Sequence, residues 1–159
     1  IIEILSSVVS LQETGFPKIS FKRDIINSSI MYELDATMIS QALINLLKNA
    51  GESIESRIKN DHQLEVFGQI EVIAMPIDTI LKICIIDNGV GLPADRTRLF
   101  EPYVTTREHG TGLGLAIVKK IIEEHGGVFS LEDAPPLSNT GIVGAAAVIE
   151  LPYYKTQQS

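Results

Sequence analysis

The stretch ILKICIIDNGVGL, Ile80 to Leu92, runs apolar and β-rich and then stops on an acid, an amide and two glycines. A run of that length bounded by turn residues reads as a buried strand ending at Asp87-Asn88-Gly89. Upstream, Ile70 to Met75 is a similar run, joined to it through Pro76 to Thr79, so the two are expected as adjacent antiparallel strands. Further back, Ile39, Ala42, Leu43, Leu46, Leu47, Ala50 and Ile54 share one helical face behind Asp35, a residue type that caps helix N-termini. Arg57 to Gly68 is polar and aperiodic and reads as a loop. Residues 1 to 12 have helical spacing, Thr14, Gly15 and Pro17 break it, and Ile19 to Ile25 alternates. A short helix leading into a hairpin-like pair is expected there. Downstream, Leu115, Val118, Ile121 and Ile122 mark a helix stopped by Gly126-Gly127, and Val128 to Leu131 and Val143 to Leu151 read as final strands. From Val90 to Gly114 periodicity fades over about 25 residues, where connections usually run about 4 to 6, and loops that long are usually functional.

The 159 residues suffice for one domain, expected over residues 1–152 with a tail at 153–159. With 45% hydrophobic and 21% charged residues the composition is that of a globular protein, neither disordered nor coiled-coil. A net charge of −7 repels nucleic acid, anionic membrane and nucleotide alike, so any bound anion needs a local site and no nucleic-acid partner is expected. No stretch is long and apolar enough to span a membrane. The apolar pattern is already under way at Ile1, with no initiating Met, as in a domain excised from something longer. The single Cys84 reads as a buried core thiol.

Three segments place polar residues or glycines where local structure does not ask for them. Asn45 and Asn49 of NLLKNA are four apart on a helix, and Asn gains nothing there from propensity. Read alone, they also fit amides that bond local carbonyls or face solvent. As a pair they offer neutral oxygen donors to a hydrated Mg²⁺ bridging to phosphates. In DNGVGL, Asp-Asn-Gly is by itself a common turn. A carboxylate at a strand end beside Gly89 and Gly91 also suits a flat ligand bearing an amino group, such as adenine. In HGTGLGLA, Gly110, Gly112 and Gly114 let backbone N–H groups converge before a helix start, which attracts phosphate. No Lys-Ser or Lys-Thr follows them, and Leu115 stands at the third glycine of a dinucleotide fingerprint, so both of those nucleotide folds are disfavoured.

In this order and spacing the segments resemble the ATP-binding catalytic domain of sensor histidine kinases, in the superfamily shared with gyrase, Hsp90 and MutL. NLLKNA is similar to the N box, DNGVGL to the first glycine box, LFEPYVTTR (Leu99 to Arg107) to the F box, and HGTGLGLAIVKKIIEEHGG to the second glycine box with its helix. The resemblance covers Ile19 to Pro152. FEPYVTTREHGTGLGLAIV followed by EDAP most resembles nitrogen-regulation sensors of the NtrY kind.

The resemblance implies a two-layer α/β sandwich (Bergerat fold): a mixed, mostly antiparallel sheet of about five strands under about three helices, with an ATP lid. It implies ATP and Mg²⁺ as cofactors, Asn49 as principal metal ligand, and Asn45 supporting metal and phosphates. Asp87 would accept the adenine amino group, with Gly89 and Gly91 shaping the pocket. Gly110, Thr111, Gly112, Leu113 and Gly114 would meet the phosphates, with Thr105 and Thr106 also on the nucleotide. Leu92 to Thr111 corresponds to the mobile lid, with Phe100 as its anchor and Arg107 reaching the terminal phosphate. At one position the pattern departs: after Gly144 the family often has a Thr whose hydroxyl helps hold adenine, and here Ala145 follows.

The activity implied is transfer of the γ-phosphoryl group from Mg·ATP to a histidine on a dimerisation domain, then to a response regulator. The parent is expected to be a homodimer anchored in the bacterial inner membrane, with this domain in the cytoplasm. None of His62, His109 or His125 is followed by Glu or Asp, so none is expected to be the phosphoacceptor. The other readings are an ATPase clamp of the gyrase, Hsp90 or MutL type, in which a hydrolytic base would stand at Asn45, and a nucleotide-binding regulatory module without catalysis.

Overall fold

The computed structural model describes residues 1–27, 34–60, 67–96, 99–101, 114–135 and 143–153. Helix α1 (Ile2–Gly15) leads to strand β1 (Ser20–Ile25), and α2 (Ala36–Asn60) to β2 (Gln69–Ile77) and β3 (Ile80–Asp87). Helix α3 (Gly114–Glu124) then precedes β4 (Val128–Asp133) and β5 (Ala145–Pro152). The five strands form one sheet in the order β1-β2-β3-β5-β4, as an α/β sandwich requires.

β2 and β3 pair antiparallel across the two-residue turn Asp78-Thr79, with Asp78 at φ 54°. β3 also pairs antiparallel with β5, and β5 with β4. β1 corrects the hairpin expectation: it pairs parallel with β2, Ser20 opposite Gln69 through Ile25 opposite Ala74. Its partner lies beyond the long helix α2, and parallel strands need such a crossover.

α2 starts as its sequence asks, with Asp35 Oδ1 accepting the Met38 N–H at 3.0 Å. It does not stop at Arg57. The helix continues to Asn60, and Arg57, assigned to a loop, is helical and buried. The buried face passes from Ala50 through Ser53 and Ile54 to Arg57, so a polar sequence keeps the helical period. α3 ends in a Schellman motif: Gly127 N–H donates to Ile122 O at 2.9 Å and Gly126 N–H to Glu123 O at 3.0 Å, with Gly126 at φ 74°.

The three helices cover one face of the sheet. Leu5 and Val9 of α1, Leu43 and Leu47 of α2 and Ile122 of α3 share a core with Leu81, Ile83 and Ile85 of β3. Alternation along β3 sends Cys84 and Ile86 to the other face, where they meet a small cluster of Ala134, Ala146 and Val148. Cys84 is therefore half-buried on the open face and not a thiol of the main core. Tyr153, expected in the tail, is buried in the main core and donates its N–H to Thr79 O at 2.8 Å.

Candidate functional site

The alternation that buries Leu81, Ile83 and Ile85 carries Asp87 to the same side, at the last residue of β3, where it is 6% exposed. Its Oδ1 accepts the Gly89 N–H at 2.9 Å, closing an Asx turn that fixes the direction of the carboxylate. Asn88 is locked on every side. Its Oδ1 accepts the Gln69 N–H at 2.8 Å, its Nδ2 donates to Phe67 O at 2.8 Å, and its own carbonyl accepts from Arg57 Nε at 2.6 Å.

The second half of α2 buttresses this turn. Ser53 Oγ accepts the Val90 N–H at 3.0 Å, one helical step before Arg57. A Cβ on Gly89 would lie 2.2 Å from Ser53 Oγ and 2.7 Å from the Ser53 carbonyl carbon, so only glycine lets the turn sit against the helix. On the other flank a Cβ on Gly144 would fall 1.7 Å from the Asp87 carbonyl oxygen. Gly91 has φ 77°, as a turn built for glycine allows. Ser53, Arg57, Asn88 and Gly144 were not singled out from sequence. The available signal was spacing: Asn45, Asn49, Ser53 and Arg57 are successive four-residue steps on one helix.

Further along α2, Asn49 and Asn45 are half-buried. The Asn49 amide nitrogen lies 3.8 Å from a Cβ built on Gly114, the first residue of α3, so the paired-Asn segment and the end of the glycine-rich segment meet. The first turn of a helix presents backbone N–H groups without intrahelical acceptors and a partial positive charge. From Ser53, under the Asp87 turn, to Asn45 the helix rises about 12 Å. Beyond Asn45 lies an open depression of about 560 Å³, lined by Ala36, Thr37, Ser40, Gln41, Ile44 and Asn45.

The start of the long connection is tied to the body. Phe100 packs edge-on against Phe129 of β4 with ring centroids 5.5 Å apart, and Lys119 Nζ of α3 lies 5.6 Å from the Phe100 centroid. Arg96 pairs with Asp133 Oδ1 at 2.7 Å and also donates to Pro93 O at 3.3 Å. Thus Asp87, Gly89, Gly91, Asn45, Asn49, Phe100 and Gly114 belong to one side of the fold. Thr105, Thr106, Arg107, Gly110, Thr111, Gly112 and Leu113 lie outside the described residues, as do His62 and His109.

Residues 34–155 match the family described as histidine kinase-, DNA gyrase B- and HSP90-like ATPases. The chain belongs to that family. Nitrogen regulation protein NtrY of Azorhizobium caulinodans is 49% identical over 134 residues, which are 84% of this chain and 17% of that protein. Sensory histidine kinase/phosphatase NtrB of Rhizobium leguminosarum bv. phaseoli is 33% identical over 171 residues, covering 87% of this chain and 44% of that protein. The chain thus spans less than half of either relative. Among solved structures, the nucleotide-free catalytic domain of histidine kinase ThkA superposes with a TM-score of 0.76 at 30% identity, covering 95% of this chain and 92% of that one. Full-length ShkA in complex with AMPPNP gives 0.75 at 25% identity, over 98% of this chain and 30% of that one. Within the ATPase family the chain is accordingly of the histidine kinase type, and ATP is the ligand of its fold.

Proposed function

We propose that this domain binds ATP together with Mg²⁺ and hands the γ-phosphoryl group to a histidine on a dimerisation domain outside this sequence, from which a response regulator takes it. The observation that carries this reading is that one helix, α2, joins the buttressed Asp87 turn to an Asn49 amide lying beside the first turn of α3. Asp87 would read the adenine amino group. Gly89 and Gly91 would shape the pocket by letting the turn sit close against its neighbours, and Ala145 offers no hydroxyl to the base. The first N–H groups of α3 and the amides of Asn49 and Asn45 would hold the phosphates.

The donor set fits Mg²⁺. Among the described residues no group of three or more His, Cys, Asp or Glu is placed to hold a metal. Asn49, with Asn45 behind it, supplies oxygen without adding negative charge beside the phosphates. Bound there, Mg²⁺ would neutralise charge on the transferring group, and this chain's part is positioning. By resemblance, Thr105, Thr106, Arg107, Gly110, Thr111, Gly112 and Leu113 complete the phosphate side.

The names of the relatives support a kinase over an ATPase clamp, as does an amide at Asn45 where hydrolysis would call for a base. The described residues contain no helix long and apolar enough to cross a membrane. Membrane anchoring and homodimerisation are proposed for the parent kinase, with this domain on the cytoplasmic side. Calorimetry tests the site. ATP should bind more tightly with Mg²⁺ than without, and Asn49→Ala should erase most of that difference. An unchanged Mg·ATP affinity in Asn49→Ala would remove Asn49 as the main ligand.

A further inference from the structure

The imidazole of His125 sits between the two helices that flank the phosphate end of the site. Its Nδ1 lies 2.7 Å from Ile121 O, one turn back on α3, and its Nε2 lies 3.0 Å from the backbone nitrogen of Asp35, the N-cap residue of α2. A backbone N–H can only donate and a carbonyl can only accept. The ring is therefore neutral, with the proton on Nδ1 and the lone pair of Nε2 facing Asp35.

The Asp35 N–H is a donor that helices commonly satisfy from within, through a Glu or Gln side chain three residues on. Here that position is Met38, which has no strong acceptor to offer, although its own N–H is capped by Asp35 Oδ1. His125 supplies the missing acceptor from α3. The capping box of α2 is closed by a neighbouring helix, and the closure is also a tie between helices.

The helices run antiparallel, since His125 at the end of α3 meets Asp35 at the start of α2 while Gly114 at the start of α3 meets Asn49. Apolar packing between them is non-directional. A directional bond at one end sets the register at the other, where the Asn49 amide faces the first turn of α3. We propose that His125 is a positioning residue for Mg·ATP: as the Nδ1–H tautomer it locks the axial register of α2 against α3 and so places Asn49 and Asn45 relative to the α3 N-terminus. This inference rests on the reading of that end as the polyphosphate site.

Two variants separate its bonds. His125→Gln keeps an acceptor near the Nε2 position, whereas His125→Asn keeps only a donor near Nδ1. Calorimetry with the whole chain should show Mg·ATP binding weakened about three- to tenfold in His125→Asn, the loss of one such bond, and within about twofold of the unsubstituted protein in His125→Gln. Adenosine, which lacks phosphates, should bind all three proteins alike, a split that simple destabilisation would not produce. In ¹⁵N NMR of the unsubstituted protein at slightly alkaline pH, the His125 ring should give a pyrrole-type Nδ1 and a pyridine-type Nε2. A protonated Nε2, equal losses in the two variants, or a parallel loss of adenosine binding would each overturn the inference while Mg·ATP binding stands. Failure of the unsubstituted protein to bind Mg·ATP would overturn the site reading and, with it, the role given to His125.

Discussion

Asp87 and Arg57 do different work on the same turn, and substitutions should separate them. Asp87→Asn replaces an acceptor-only carboxylate with an amide that also donates, so ATP binding should weaken by roughly 1 to 3 kcal/mol. Calorimetry with ATP and GTP checks the cause, since equal losses for both would mean that Asp87 does not read the base. Arg57→Met removes the Nε donor from the buried Asn88 carbonyl and should lower stability by about 1 to 3 kcal/mol in urea unfolding. An unfolding midpoint unchanged by Arg57→Met would show that the buried guanidinium contributes nothing to the turn. On the opposite face, burial pushes the Cys84 thiol up; Lys82 lowers it, and Glu132 and Glu150 raise it further. Native Cys84 should therefore be alkylated more slowly at neutral pH than in the unfolded chain. A raised folded value means that the stability the neutral thiol contributes is complete below the unfolded thiol range. It is lost as pH rises through the raised value, so the dependence belongs to the alkaline side of the stability curve.

At the scale of elements, α2 orders the site by putting Arg57 and Ser53 under the Asp87 turn, with Asn49 one step and Asn45 two steps from Ser53. Gly144 closes the other flank at the start of β5. Gly144→Ala would drive a methyl group onto the Asp87 carbonyl oxygen, so the turn must shift. We expect a stability loss of about 2 to 4 kcal/mol by thermal unfolding together with loss of ATP binding. Unimpaired ATP binding in a folded Gly144→Ala protein would contradict the tight fit. Much of this level was legible in advance, because apolar spacing, the Asp35 cap and the Gly126-Gly127 stop are local signals that the fold keeps. The end of α2 was not, since its buried face there is made of Ser53 and Arg57, whose partners lie at Val90 and Asn88, distant in sequence. The parallel pairing of β1 escaped for the same reason: alternation marks a strand and is silent about which strand lies beside it. Asp87, Asn45, Asn49 and the glycines stood out because propensity alone does not favour them where they are. Ser53 gives no such signal, and for Gly144 the family pattern points only to the residue after it, because a small residue in a helix or at a strand start is ordinary until the distance to its neighbour is known.

For the whole molecule, the sheet carries helices on one face, and the nucleotide reading places ATP at the margin between α2, α3 and the connection after Gly91. In the proposed reading this chain supplies the ATP site and a histidine-bearing dimerisation domain the phosphoacceptor, in keeping with His62, His109 and His125, none of which is followed by Glu or Asp. Tethering normally supplies an effective concentration in the millimolar range for a short flexible linker, so transfer in trans should be slow but measurable. The most direct measurement is incubation with γ-labelled ATP, Mg²⁺ and an added histidine-bearing dimerisation domain. The account predicts acid-labile label on the added domain only, absent when Asn49 is replaced by Ala. Acid-labile label on this chain alone, or release of phosphate with no label on the added domain, would contradict it.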